Sequence, residues 1–177
     1  REQMNAIIVY YSQTGFTRQY AEWLADALKC SCIPYECRKQ IDPVQYDMVV
    51  FGSWCHAGRI KKLKWFLEAF NVRADCRKAV FAVGAMPSDS PEVERLFEQN
   101  MSAEDLKEIP AFYAPGGLRY EKMSLSSRLM MKAFSQMVAN KKDKTADEEE
   151  MARIISHSFD ISDRSYLEPM IQCLQSQ

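Results

Sequence analysis

The chain has 177 residues, 47% hydrophobic and 27% charged, enough material for one sizeable core and unlike the composition of a disordered chain. Its net charge of −1 gives no overall electrostatic drive toward nucleic acid or an anionic membrane. No apolar run approaches the roughly 20 residues of a membrane-spanning helix.

In chain order, the pattern alternates between strand and helix. Ala6 to Tyr11 is a continuous apolar, β-branched run, as in a strand buried on both faces. Thr17 to Lys29 then places Tyr20, Ala21, Leu24, Ala27 and Leu28 on one helical stripe. Ser31 to Tyr35 reads as a short edge strand, because Pro34 cannot donate to a ladder. Met48 to Gly52 is a second buried strand, and Leu63, Phe66, Leu67 and Phe70 share a helical face after it. Ala79 to Gly84 is a strand, Pro91 to Asn100 a helix with Pro in its first turn, and Ala111 to Ala114 a last short strand. Strands alternating with helices predict an α/β fold with a mainly parallel sheet and right-handed crossovers.

The C-terminal third predicts two extra helices, Met123 to Ala139 and Asp147 to Ser158, joined by the charged stretch Asn140 to Thr145. A last helix would carry Tyr166, Leu167, Met170, Ile171 and Leu174. No repeat or composition shift marks a boundary, so residues 1–177 read as one domain. The six cysteines lack paired C-x-x-C spacing or nearby His ligands, so they read as small buried thiols and no metal is expected. Without a secretory signal pattern, a reducing, cytoplasmic setting is expected.

Chemistry concentrates in S-Q-T-G-F-T, the run Ser12, Gln13, Thr14, Gly15, Phe16 and Thr17 between the first strand and first helix. A doubly wound sheet places its ligand there, and the helix end offers free N–H groups and a partial positive charge. Ser12, Thr14 and Thr17 add hydroxyls, while Gly15 permits close approach. The loop contains no Lys or Arg, and neither G-x-x-x-x-G-K-[ST] nor G-x-G-x-x-G occurs, so a single terminal phosphate fits better than ATP or NAD.

The segment V-Y-Y-S-Q-T-G-F-T-R-Q-Y-A, Val9 to Ala21, resembles the FMN-phosphate signature of the flavodoxin-like FMN-binding family. Two further segments, D-M-V-V-F-G-S-W-C-H-A-G-R-I-K-K-L from Asp47 and P-G-G-L-R-Y-E-K-M-S from Pro115, resemble flavodoxin-domain proteins related to menaquinone-dependent, flavodoxin-type protoporphyrinogen oxidases. The resemblance implies a doubly wound five-stranded parallel sheet of order 2-1-3-4-5, with helices on both faces and extra C-terminal helices. It also implies FMN as cofactor and two loops around the flavin ring. The first is Ser53, Trp54, Cys55, His56, Ala57 and Gly58, with Trp54 or His56 able to stack on the ring. The second is Gly84, Ala85, Met86 and Pro87, and Gly116 and Gly117 open a third candidate loop.

Arg59, Lys61, Lys62 and Lys64 follow the first loop, and Arg119 and Lys122 follow the Gly pair. Flavodoxin shuttles surround the ring with acidic groups; cations there would instead raise the flavin potential or attract an anionic substrate. The stripe Met130, Ala133, Phe134, Met137 and Val138 admits three readings: packing on the sheet, accepting a flat apolar ligand, or touching a membrane surface where quinone is dissolved. Two functions follow. One is an FMN-dependent oxidoreductase oxidising a flat anionic substrate such as a porphyrinogen with a quinone acceptor. The other is an electron-transfer protein exchanging electrons with protein partners. His56 and Tyr120 are the reachable acid–base candidates.

Overall fold

The computed structural model describes residues 4–176. In chain order it contains β1 (Ala6–Tyr11), α1 (Phe16–Leu28), β2 (Ser31–Pro34), β3 (Met48–His56), β4 (Arg59–Ile60), α2 (Leu63–Ala69) and β5 (Arg77–Gly84). There follow α3 (Pro91–Asn100), α4 (Ala103–Glu108), β6 (Ala111–Pro115), β7 (Gly117–Leu118), α5 (Leu125–Ala139), α6 (Ala146–Ile155), β8 (Phe159–Asp160) and α7 (Glu168–Gln175). The main sheet runs β2-β1-β3-β5-β6, all parallel, which is the expected 2-1-3-4-5 order once the two-residue β4 is set aside.

The continuous apolar runs are explained by burial on both faces. Alternate residues Ile8, Tyr10, Val50 and Phe81 pack under α1 and α7 with Tyr20, Leu24, Leu167 and Met170. Their neighbours Ile7, Val9, Val49, Phe51 and Val80 face the other way, onto Phe66, Phe70, Leu96 and Met101. The tip of the Phe81 ring sits over Gly52, where a Cβ would meet it at 2.0 Å. Such a strand needs no polar alternation because neither face meets water.

Three departures bear on the site. First, β3 does not end at Gly52 but runs to His56 and turns back as a hairpin, pairing Cys55 with Ile60 and His56 with Arg59. The turn residues Ala57 and Gly58 both have positive φ (51° and 77°), the geometry that suits a two-residue hairpin. Second, α5 does not pack on the sheet: none of its residues is buried, and it lies against α6 instead. Third, α5 and α6 leave and rejoin the sheet region through a small antiparallel clasp, Gly117–Leu118 against Phe159–Asp160. A short helix, α4, was not anticipated; its only large apolar residue is Leu106. Among the described residues, no helix is long and apolar enough to cross a membrane, and no His/Cys/Asp/Glu group could hold a metal ion.

Candidate functional site

At the carboxyl end of β1 the chain turns through Gly15, whose φ of 101° puts it in the left-handed region. Helix α1 starts at Phe16 with no side-chain cap, so its first-turn N–H groups have no intrahelical acceptor. The Gly15 N–H donates to Ser12 Oγ at 3.1 Å, drawing the loop into a curl. Thr17 is buried, and neither its hydroxyl nor that of Thr14 is engaged by another described residue. These are the free donors that an anion needs.

The loop acquires a cation from far away in the chain. Arg119 follows β7; its guanidinium lies 3.8 Å from the Phe16 ring centroid, and its Nη1 donates to the Thr14 carbonyl at 3.0 Å. Its Nη2 pairs with Asp160 at 3.4 Å. Burial alone would raise the Asp160 carboxyl's pKa, but hydrogen bonds from Ser162 and the nearby Arg119 outweigh it and hold the carboxyl below its usual value.

The other end of the cleft is built by the β3–β4 hairpin. Asn100, the last residue of α3, fixes it: its Nδ2 donates to the Gly58 carbonyl at 2.8 Å and its Oδ1 accepts from the Ile60 N–H at 3.0 Å. Ser53 is fully buried and its hydroxyl donates to the Lys61 carbonyl at 2.6 Å, bracing the same hairpin. Trp54 stacks on Tyr11 at 6.2 Å, and Lys61 Nζ stands 5.5 Å from its ring centroid. The Trp54 Nε1 is buried without a hydrogen-bond partner among the described residues. A buried donor left unpaired costs about 1–3 kcal/mol, which marks this atom as one that an acceptor from a ligand or a water would satisfy. Behind the hairpin, burial pushes the Cys55 thiol up to about 11 and raises the Tyr113 hydroxyl, which donates to the Met86 carbonyl at 2.7 Å. A thiol held protonated in this way is a poor nucleophile.

Phosphate loop and hairpin border one cleft of 510 Å³, within the range of small-molecule sites. Its far wall is the helical pair: Met123, Ser127, Met131 and Phe134 from the α5 region, Met151 and Ile155 from α6. Gln13 Nε2 donates to Ser127 Oγ at 3.1 Å and ties that wall to the phosphate loop.

Of the residues singled out by sequence, Gln13, Thr14, Phe16, Thr17, Trp54, Cys55, His56, Ala57, Gly58, Gly84, Ala85, Met86 and Gly117 line this cleft. Ser12, Gly15, Ser53, Pro87 and Gly116 do not. Ser12 and Ser53 shape the loops from behind, and Gly116 donates its N–H to the Gly84 carbonyl at 2.8 Å. Tyr120 is turned away: its hydroxyl donates to the Ile155 carbonyl, and it is not part of the lining. Sequence reasoning missed Glu92, Arg95 and Gln99, which line the cleft from α3. Their i, i+3, i+7 spacing is a polar stripe that a helical wheel would have shown.

A doubly wound sheet with an open helix N-terminus and an aromatic cleft at its carboxyl edge defines a nucleotide-type cofactor protein. The flavodoxin domain matches residues 7–145, and the chain belongs to that family. Its cofactor is FMN, and the donor set fits: free amides and hydroxyls at one end, an apolar slot with an unpaired indole N–H at the other. Comparison with curated proteins returns no match. Among solved structures, the chain is similar to a flavoprotein in complex with FMN from Lactobacillus acidophilus NCFM, at 18% identity over 64% of this chain and 93% of that one, TM-score 0.42. It is also similar to a flavodoxin from the domain Archaea (14% identity, 87% and 100% covered, TM-score 0.44) and to a putative flavoprotein from Bacteroides uniformis ATCC 8492 (14%, 74% and 99%, TM-score 0.45).

Proposed function

We infer that this chain is an FMN-dependent oxidoreductase acting on a flat, apolar small molecule. The observation that carries the reading is the apolar wall of Met123, Met131, Phe134, Met151 and Ile155 facing the flavin loops. A shuttle that trades electrons with proteins needs an exposed ring edge, whereas this wall lines one side of the cleft with flexible sulfur and aromatic side chains that adapt to an apolar ligand. When bound, FMN supplies the capacity to accept and return two electrons.

The residues give that cofactor its place. Thr14, Thr17 and the first-turn amides of α1 would hold the phosphate, and Trp54 and His56 would flank the ring. Thr14→Val and Thr17→Val are each expected to weaken FMN binding about 10-fold or more, since each removes a donor to a charged group. A flavin titration in which both variants bind as tightly as the parent protein would sink this assignment.

For the finer identity, a porphyrinogen donor with a quinone acceptor agrees with an apolar cleft carrying Arg95 for a carboxylate. In each round two electrons and two protons leave the porphyrinogen and reduce the quinone to quinol. The test incubates FMN-loaded protein with protoporphyrinogen and a menaquinone analogue. Porphyrin fluorescence should grow in proportion to protein and require the quinone; no growth above background with FMN bound would reject this substrate. The competing reading, electron exchange with an acidic protein partner, is favoured by the exposed Arg59, Lys62 and Lys64 beside the hairpin. Rapid reduction of such a partner without any small-molecule turnover would select it.

A further inference from the structure

The phosphate loop itself has no cation, and Arg18, next in line on α1, is committed to Glu22 at 2.8 Å and exposed. Arg119 is different. It reaches across 105 residues of sequence, is largely covered, and makes three contacts at once: the Phe16 face, the Thr14 carbonyl and Asp160. A Cβ on Gly15 would stand 2.9 Å from its Nη1, so the guanidinium rests directly on the loop backbone.

The bond to Thr14 has a geometric consequence. In a trans peptide the C=O and the following N–H point in opposite directions, and the described chain has no cis bond. With the Thr14 carbonyl turned toward Arg119, the Gly15 N–H must turn the other way, where it meets Ser12 Oγ. Rotation of this peptide would bring a carbonyl oxygen into the ring of donors and repel a phosphate. Both partners of the ion pair adjoin or belong to the same clasp, Arg119 just after β7 and Asp160 in β8. The clasp therefore delivers the guanidinium in one fixed orientation.

We propose that Arg119, aimed by Asp160, is a positioning residue that fixes the Thr14–Gly15 peptide and lends its positive charge to the phosphate loop from behind the loop backbone, making the site selective for the phosphorylated flavin. The proposal rests on the FMN reading of the cleft. It explains how a hydroxyl-only loop favours a dianion without a P-loop lysine: the charge enters from the C-terminal clasp.

The test compares FMN with riboflavin, which shares the ring and lacks the phosphate. Dissociation constants for both are measured by flavin fluorescence at low and moderate salt, for the parent protein, Arg119→Met, Arg119→Gln and Arg119→Lys. Arg119→Met should weaken FMN about 10-fold or more while riboflavin stays within about twofold, and FMN binding should lose much of its salt dependence. Arg119→Lys should recover part of the loss, and Arg119→Gln, which keeps a donor without the charge, should fall between. Equal losses for FMN and riboflavin, or an FMN affinity within twofold of the parent, would overturn the proposal. If Arg119→Met does not fold, the ratio of the two affinities in the Gln and Lys variants decides the matter in the same way. Failure of the parent protein to bind FMN would overturn the cofactor reading itself, a result distinct from unchanged selectivity.

Discussion

Along β3, Met48 through Ser53 are all buried, whereas α5, 15 residues long, buries none. Leu125 is 71% exposed and Met137 65%, while Ile8, Val50 and Phe81 in the sheet are fully covered. The two regions answer different physical demands. The sheet is held by apolar burial on both faces and sets the position of every loop at its carboxyl edge. The helical pair contributes one side to the cleft, and α5 is fixed by its capping Ser124, whose hydroxyl accepts from the Ser127 N–H at 3.2 Å, by α6 and by the tie from Gln13. Stability resides in the first region, and the shape of the ligand space is divided between the two.

That division can be broken most sharply at Phe81. Phe81→Ala removes a fully buried ring from over Gly52 and is expected to cost about 3–5 kcal/mol, read as a lower urea midpoint. A cost below 1 kcal/mol would show that the sheet does not carry the stability assigned to it. Alkaline pH probes the same region more gently. Burial raises the Cys30 and Cys55 thiols from 9.0 to about 11, and both sit in the sheet region. Below pH 9 both states keep these protons and nothing changes. Between pH 9 and 11 the unfolded chain ionises first, so stability should fall across that window. The fall should shrink in Cys55→Ala; an identical pH dependence in that variant would remove Cys55 from the explanation. The smallest effect on stability is expected at Phe134, 41% exposed on α5. Phe134→Ser should change the urea midpoint by an amount equivalent to about 0.5 kcal/mol or less while weakening turnover of an apolar substrate severalfold. A large stability loss there would mean that the helical pair is part of the core after all.

The same contrast explains what could be read from the sequence. Strands β1, β3 and β5 were legible because a continuous apolar run has few alternatives in an alternating α/β pattern, and the Ser12–Thr17 loop because its residues are contiguous. The end of β3 was less so: Ser53 to His56 mixes polar, aromatic and thiol side chains, which reads as a loop, yet the hairpin turn at Ala57 and Gly58 and the clamp from Asn100 keep it extended. The helix at α5 was visible from its period, but a stripe of Met, Ala and Phe does not say what it faces. Here part of it faces the cleft and part faces solvent. Arg119 could not be placed at the phosphate loop from spacing, because the clasp that brings it there consists of only two residue pairs, Gly117 with Asp160 and Leu118 with Phe159, far apart in the sequence.

That clasp also bears on how such a protein can change. Adjacent strands lie about 4.8 Å apart, so β7 and β8 hold the two ends of the intervening segment at a fixed short distance. The entropy of closing a segment between fixed ends grows only slowly with its length. Segments of different length or sequence beyond Arg119 could be exchanged there with little penalty to the sheet, provided Arg119 and its Asp160 partner are kept at the clasp.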